Sequence, residues 1–194
     1  MPIHLEPIDV SAELQDVGSV LIVACPICPP MSLAMQEQSP VIELFKRGIK
    51  TGAFEDFIRE IREPLERRGV RTGVFRTYLP CPTMCLWTKG QRRRFLKHAR
   101  DYEAVLVLGC DSSTRTAEST LAGLDVRVFQ AMHATGIANA TLRYRFPMTL
   151  DLQHSTYATG DRAITGGADA DRPEIPTAPE GVEAPESHAS SLHR

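Results

Sequence analysis

No stretch of this chain approaches the roughly 20 consecutive apolar residues that a bilayer-spanning helix requires, so no such helix is expected. Neither a G-x-G-x-x-G run nor a P-loop is present, which argues against dinucleotide and ATP chemistry. No internal repeat recurs. Neither sign of charge dominates: 22 Lys and Arg stand against 24 Asp and Glu, a net −2 that gives no pull towards nucleic acid or an anionic membrane. Ile22-Val23-Ala24-Cys25 resembles a lipoprotein cleavage box. The apolar run is too short for one, however, and the acidic residues Glu6, Asp9, Glu13 and Asp16 precede it with no Lys or Arg among them. The expectation is a cytoplasmic protein.

What is present fits one domain. The 194 residues are 42% hydrophobic and 24% charged, enough apolar material for a core. Charge is unevenly spread. From Ser155 onward seven acids face three bases, leaving the tail at −4 and the body at +2. A mildly basic body suits a small anionic substrate. The organisation expected is an N-terminal extension over 1–18, an α/β domain over 19–152, and a disordered acidic tail over 153–194, rich in Pro, Ala and Gly.

Short β-branched runs alternate with amphipathic segments. Val20–Ala24 and Ala104–Leu108 read as strands buried on both faces. Val70–Leu79 and Val126–Ala131 read as further strands, and Ala138–Phe146 as a fifth. Ser39-Pro40 predicts a helix start, Ser capping and Pro first, carried on by Val41, Leu44, Phe45 and Ile49. A second helix carries Phe54, Phe57, Ile58, Ile61 and Leu65 on one stripe, with Pro64 set to kink or restart it and Gly69 to stop it. Further helices are expected over Thr88–Arg100 and Ser112–Leu121. The alternation implies βαβ units, hence a small doubly wound, mostly parallel sheet of four to five strands of the flavodoxin or Rossmann kind.

The chemistry rests on five cysteines: Cys25-Pro26-Ile27-Cys28, Cys81-Pro82-Thr83-Met84-Cys85 and Cys110. In a reducing compartment they are expected to be ligands or catalysts rather than disulfides. Each group follows the carboxyl end of a predicted strand, the edge where open α/β sheets bind ligands. Soft sulfur donors select zinc, copper(I) or iron–sulfur clusters. The leading expectation is an iron–sulfur cluster of the 4Fe–4S form on Cys25, Cys28, Cys81 and Cys85, or on three of these plus Cys110, with zinc as the alternative. A dithiol redox pair in Cys25 and Cys28, and plain buried thiols, account for fewer of the five.

With one thiolate spare, Cys110 is the candidate nucleophile or sulfur carrier and Asp111 its acid/base neighbour, although Asp111 also fits a helix cap. Arg92 (from the basic run Lys89, Arg92, Arg93, Arg94, Lys97), Ser112, Ser113 and His133 are weaker candidates for holding the acceptor. Trp87 reads as a lid or, more simply, a core residue. Three functions follow: redox or sulfur transfer to a small anionic acceptor, as in making a thiol-containing cofactor; a zinc-thiolate protein, structural or activating a thiol for alkyl transfer; or an accessory subunit that passes electrons or clusters. Partners are the small anion and an electron donor or larger subunit, with room for a homo-oligomer and none for nucleic acid or membrane.

Overall fold

Val20, Leu21, Ile22 and Val23 are almost wholly shielded from solvent, as are Ala104 to Leu108, so both runs need cover on two sides. The computed structural model supplies it and describes residues 3–76, 83–159 and 162–165. In chain order the first elements are β1 (Ile3–Pro7), β2 (Ser19–Ala24), α1 (Cys28–Gln36), β3 (Ile42–Glu43), α2 (Leu44–Arg47), α3 (Gly52–Arg67) and β4 (Arg71–Arg76). A 3-10 turn (Met84–Leu86), α4 (Lys89–Ala99), β5 (Ala104–Leu108), α5 (Asp111–Leu121), β6 (Arg127–Gln130), β7 (Met132–Arg145), β8 (Thr149–Thr159) and β9 (Arg162–Thr165) complete them.

Four strands form a parallel sheet in the order β4-β2-β5-β6. Side chains alternate across it with the strand period of two. Val20, Ile22, Ala24, Ala104, Leu106 and Leu108 pack with Leu33 of α1 and Phe54, Ile58 and Leu65 of α3. Leu21, Val23, Val105 and Val107 pack with Phe95 and Ala99 of α4 and with Ala117 and Leu121 of α5. Each fully buried Leu or Ile here contributes about 1.5–3 kcal/mol relative to exposure. Thus α1 and α3 cover one face, and α4 and α5 the other.

Local signals set the helix ends. Thr88 and Gln91 form a reciprocal cap on α4, the Thr88 hydroxyl accepting from the Gln91 amide and the Gln91 side chain accepting from the Thr88 amide. At the end of α3, Gly69 takes φ +83°, its amide bonds the Glu66 carbonyl, and the Val70 amide bonds Leu65. That double bond pattern is what stops the helix, and the positive φ is why glycine stands there.

The remaining strands make a second, antiparallel sheet, β1-β7-β8-β3, with β9 on β8. Ser32 ties α1 to this second sheet: its hydroxyl accepts from the Leu5 amide of β1 at 2.9 Å and faces the Cys28 and Ile3 carbonyls at 3.0 and 3.2 Å.

The chain is therefore α/β with one parallel and one antiparallel sheet, not the single sheet expected. Ala138–Phe146 is not a fifth parallel strand; its residues to Arg145 are the outer part of β7, paired antiparallel with β8. A parallel strand needs a crossover of about a dozen residues, and too few separate β6 from this segment to provide one. The expected N-terminal extension holds β1, and the expected tail boundary at 153 falls inside β8; 166–194 lie outside the described residues. The helix expected from Ser39-Pro40 is replaced by the two-residue β3, which pairs with β8, and the four-residue α2. Pro64 lies within α3 rather than restarting it. Among the described residues no helix is long and apolar enough to cross a membrane.

Candidate metal centre

β2 and β5 lie side by side, Ala24 opposite Leu108. The next residue of β2 prolongs the ladder: the Cys25 amide donates to the Leu108 carbonyl at 3.0 Å. Cys25 falls on the α4/α5 face and is 4% exposed. One residue past Gly109, Cys110 caps α5, its carbonyl accepting from the Ser113 and Thr114 amides at 2.8 and 3.1 Å. It is 8% exposed. Gly109 has room for hydrogen alone: a Cβ there would stand 2.7 Å from Ser113 Cβ and 3.5 Å from Cys25 Cβ.

Cys28 opens α1, half-buried, and Cys85 sits exposed in the 3-10 turn. Burial pushes the Cys25 thiol above its ordinary pKa. Main-chain hydrogen bonds from Met84 and Ile27 to its sulfur act the other way, while the nearby Cys28 and Cys110 sulfurs add to the rise. Burial also raises Cys28, offset by a main-chain hydrogen bond with Ile3; Cys110 and Cys85 raise it further. Cys28 and Cys110 thus lie close enough to act on Cys25, and Cys110 and Cys85 close enough to act on Cys28. All four are free thiols. Cys81, the remaining predicted ligand, lies outside the described residues.

The donors are soft sulfurs, the type that thiophilic groups take, and the Cys25 sulfur also receives main-chain hydrogen bonds. Trp87 adds an orphaned polar atom. It is a core residue rather than a lid, packed against Phe75 and Phe95 at 5.8 and 5.4 Å in the same buried cluster as Cys25 and Met84. Its indole N–H is buried with no partner among the described residues. Among the described residues, no three His, Cys, Asp or Glu side chains are arranged to hold one metal ion.

The other candidates disperse. Asp111 is exposed in the first turn of α5 and accepts from the Gln130 amide nitrogen at 2.9 Å; the cap position belongs to Cys110. Ser113 is buried, its hydroxyl 3.7 Å from Cys110 Sγ, whereas Ser112 is exposed. Arg92 reaches α5, donating to Ser119 Oγ at 2.8 Å and Thr120 Oγ1 at 3.1 Å, and so ties two helices together. Arg93, Arg94 and Lys97 lie on the exposed side of α4. His133 is exposed on β7, opposite Glu6 of β1.

Sequence reasoning missed a pocket of about 140 Å³ beside the first cysteine loop, lined by Pro26, Ile27, Lys50, Thr51, Glu55 and Arg76 among others. Arg76 ends β4 and forms a two-point ion pair with Glu55 of α3, one arm at 3.0 Å. An arginine closing a strand carries no distinctive sequence signal. Neither does Met84, whose contribution to Cys25 comes from its main chain. Comparison with protein-family models, curated proteins and solved structures finds no match for this chain.

Proposed function

We propose that the chain is an iron–sulfur enzyme of small-molecule metabolism, performing redox or sulfur transfer on a small anionic acceptor. A product of that kind would be a thiol-bearing metabolite or cofactor. The observation that supports this most is the gathering of Cys25, Cys28 and Cys110 at the adjoining ends of β2 and β5, with main-chain hydrogen bonds from Ile27 and Met84 on the Cys25 sulfur. We read the parallel sheet as a doubly wound unit, which makes the gap between β2 and β5 its switch point, the place where such sheets take ligands.

In this reading Cys25, Cys28 and Cys110 hold the cluster with a fourth thiolate from Cys81 or Cys85. When bound, a cluster there supplies one-electron transfer or an iron position open to substrate. Burial of Cys110 favours ligation over the role of free nucleophile, so the spare thiol falls in the 81–85 loop, where Cys85 is exposed. Five cysteines exceed the four that a closed structural site uses. The pocket next to Pro26 and Ile27 suits a small anion through the positive charge of Lys50, the Arg76 guanidinium there being paired with Glu55.

Serine at Cys110 tests the ligand assignment. Iron and visible absorbance should both fall. Retention of both with loss of turnover would return Cys110 to the role of nucleophile.

A further inference from the structure

Beyond Ala138 the β7–β8 hairpin stands out from the rest of the chain: Thr141 to Arg145 are all exposed on β7. Its two faces differ sharply. Leu142 pairs with Leu152, and Tyr144 with Leu150, which in turn pairs with Ile42 of β3. Directly paired residues share a face, so these five form one apolar surface. Met148 joins it, its sulfur within 2.6 Å of the Tyr144 hydroxyl. The reverse face carries Thr141 opposite Gln153 and Arg143 opposite Asp151, with Arg145 also bound to Asp151.

This apolar face is open. Leu142 and Tyr144 are each 58% exposed and Met148 41%, while Phe146 at the hairpin tip is 92% exposed and Phe45 of α2 76%. Taking a large side chain as about 200 Å², Leu142, Tyr144 and Met148 present roughly 300 Å² on this face. Phe146 at the tip and Phe45 of α2, whose helix bonds Met148 through the Leu44 amide, add roughly 300 Å² beside it, at the upper end of what a monomer's largest patch exposes. A standard interface takes about 800 Å² from each partner. The face carries no charged side chain among its paired residues, so it can be laid against its own copy without like-charge repulsion.

We propose that a second copy of this chain covers the face, the two hairpin arms stacking as a two-fold sandwich with the polar faces outward. A two-fold contact of this kind uses the same patch twice and therefore needs a self-complementary surface, which an uncharged sheet face is. The proposal is independent of the metal centre.

Sedimentation of the full chain at micromolar concentration tests it. The expected species is a dimer, and Leu142→Asp with Tyr144→Asp should halve the mass while leaving the circular dichroism unchanged. Arg143→Glu, on the reverse face, should leave the dimer intact. Should the double variant misfold, hydrogen exchange of the wild type supplies the answer, since amides of 142–152 should gain protection as concentration rises. A monomeric wild type with concentration-independent exchange overturns the proposal. So does a monomer that co-sediments with lipid vesicles, which would assign the face to a membrane surface instead, and so does a dimer that survives the double substitution.

Discussion

The Cys25 amide bonds the Leu108 carbonyl at 3.0 Å, and that one contact puts the first cysteine loop within reach of the third. Cys110 follows Leu108 by two residues, and its sulfur adds to the rise in the Cys25 thiol. The sheet register is what holds the sulfurs together, not a local motif.

Thiol accessibility should follow from this placement. In metal-free protein Cys85 should alkylate readily with iodoacetamide, while Cys25, closed in by Val23, Met84 and Trp87, should react at least tenfold more slowly. Peptide mapping with time-resolved labelling measures both. Equal rates would mean that the first loop does not hold Cys25 as described.

Metal uptake should release protons. Burial raises the Cys25 and Cys28 thiols, so both are neutral at pH 7 and must lose protons to ligate. Lowering the pH should weaken binding by about tenfold per unit for each thiol displaced. Titrating Cd²⁺ into metal-free protein in weak and strong buffers reads the released protons directly. Binding without proton release, or affinity that is flat between pH 6 and 8, would contradict the assignment.

Gly109→Ala should damage the centre through geometry alone. The new methyl meets Ser113 Cβ at 2.7 Å, and Ser113 is 1% exposed in the first turn of α5. Overpacking of this kind costs about 1–3 kcal/mol. Urea denaturation should show that loss, and iron content should drop with it. Removing the obstacle in the Gly109→Ala, Ser113→Gly double variant should restore part of both; strict additivity would locate the damage elsewhere.

Stability should fall on mild acidification because of His4. Its ring is buried, with Nδ1 2.9 Å from Thr135 Oγ1 across the β1–β7 ladder. Burial lowers its pKa below 6.5, and Glu6 partly counters this. The unfolded chain then binds a proton that the native state does not, so this contribution is present above pH 6.5 and is lost as pH falls through the depressed folded value. The urea midpoint should decline over that window, and His4→Gln should flatten the decline. An unchanged slope in the variant would assign it to carboxylates.

The parallel half of the fold was legible because its strands are doubly buried and its helices carry their own end signals, Thr88 and Gln91 at one start and Gly69 at one stop. The antiparallel half was not. β1 is five residues long and gains its place from β7 and from Ser32 and Gln36 of α1, all distant in sequence. β3 is a two-residue strand that displaces a local helix signal at Ser39-Pro40, a case of pairing with β8 overriding local preference. Among site residues, counting strand ends accounts for Cys25 and Cys110, which follow the adjoining strands β2 and β5. That Arg92 meets Ser119 and Thr120 of α5 was not legible, because helical periodicity does not say which element faces a side chain. Glu55 and Arg76 meet through tertiary packing that no spacing encodes.

Anaerobic purification followed by iron, acid-labile sulfide and zinc analysis tests the iron–sulfur reading most directly. Iron and sulfide in near-equal amounts, about four of each per chain for a four-iron cluster, with broad visible absorbance that is lost in Cys25→Ser, is the predicted result. A colourless protein holding one zinc per chain, or no metal at all after cluster reconstitution, would contradict it.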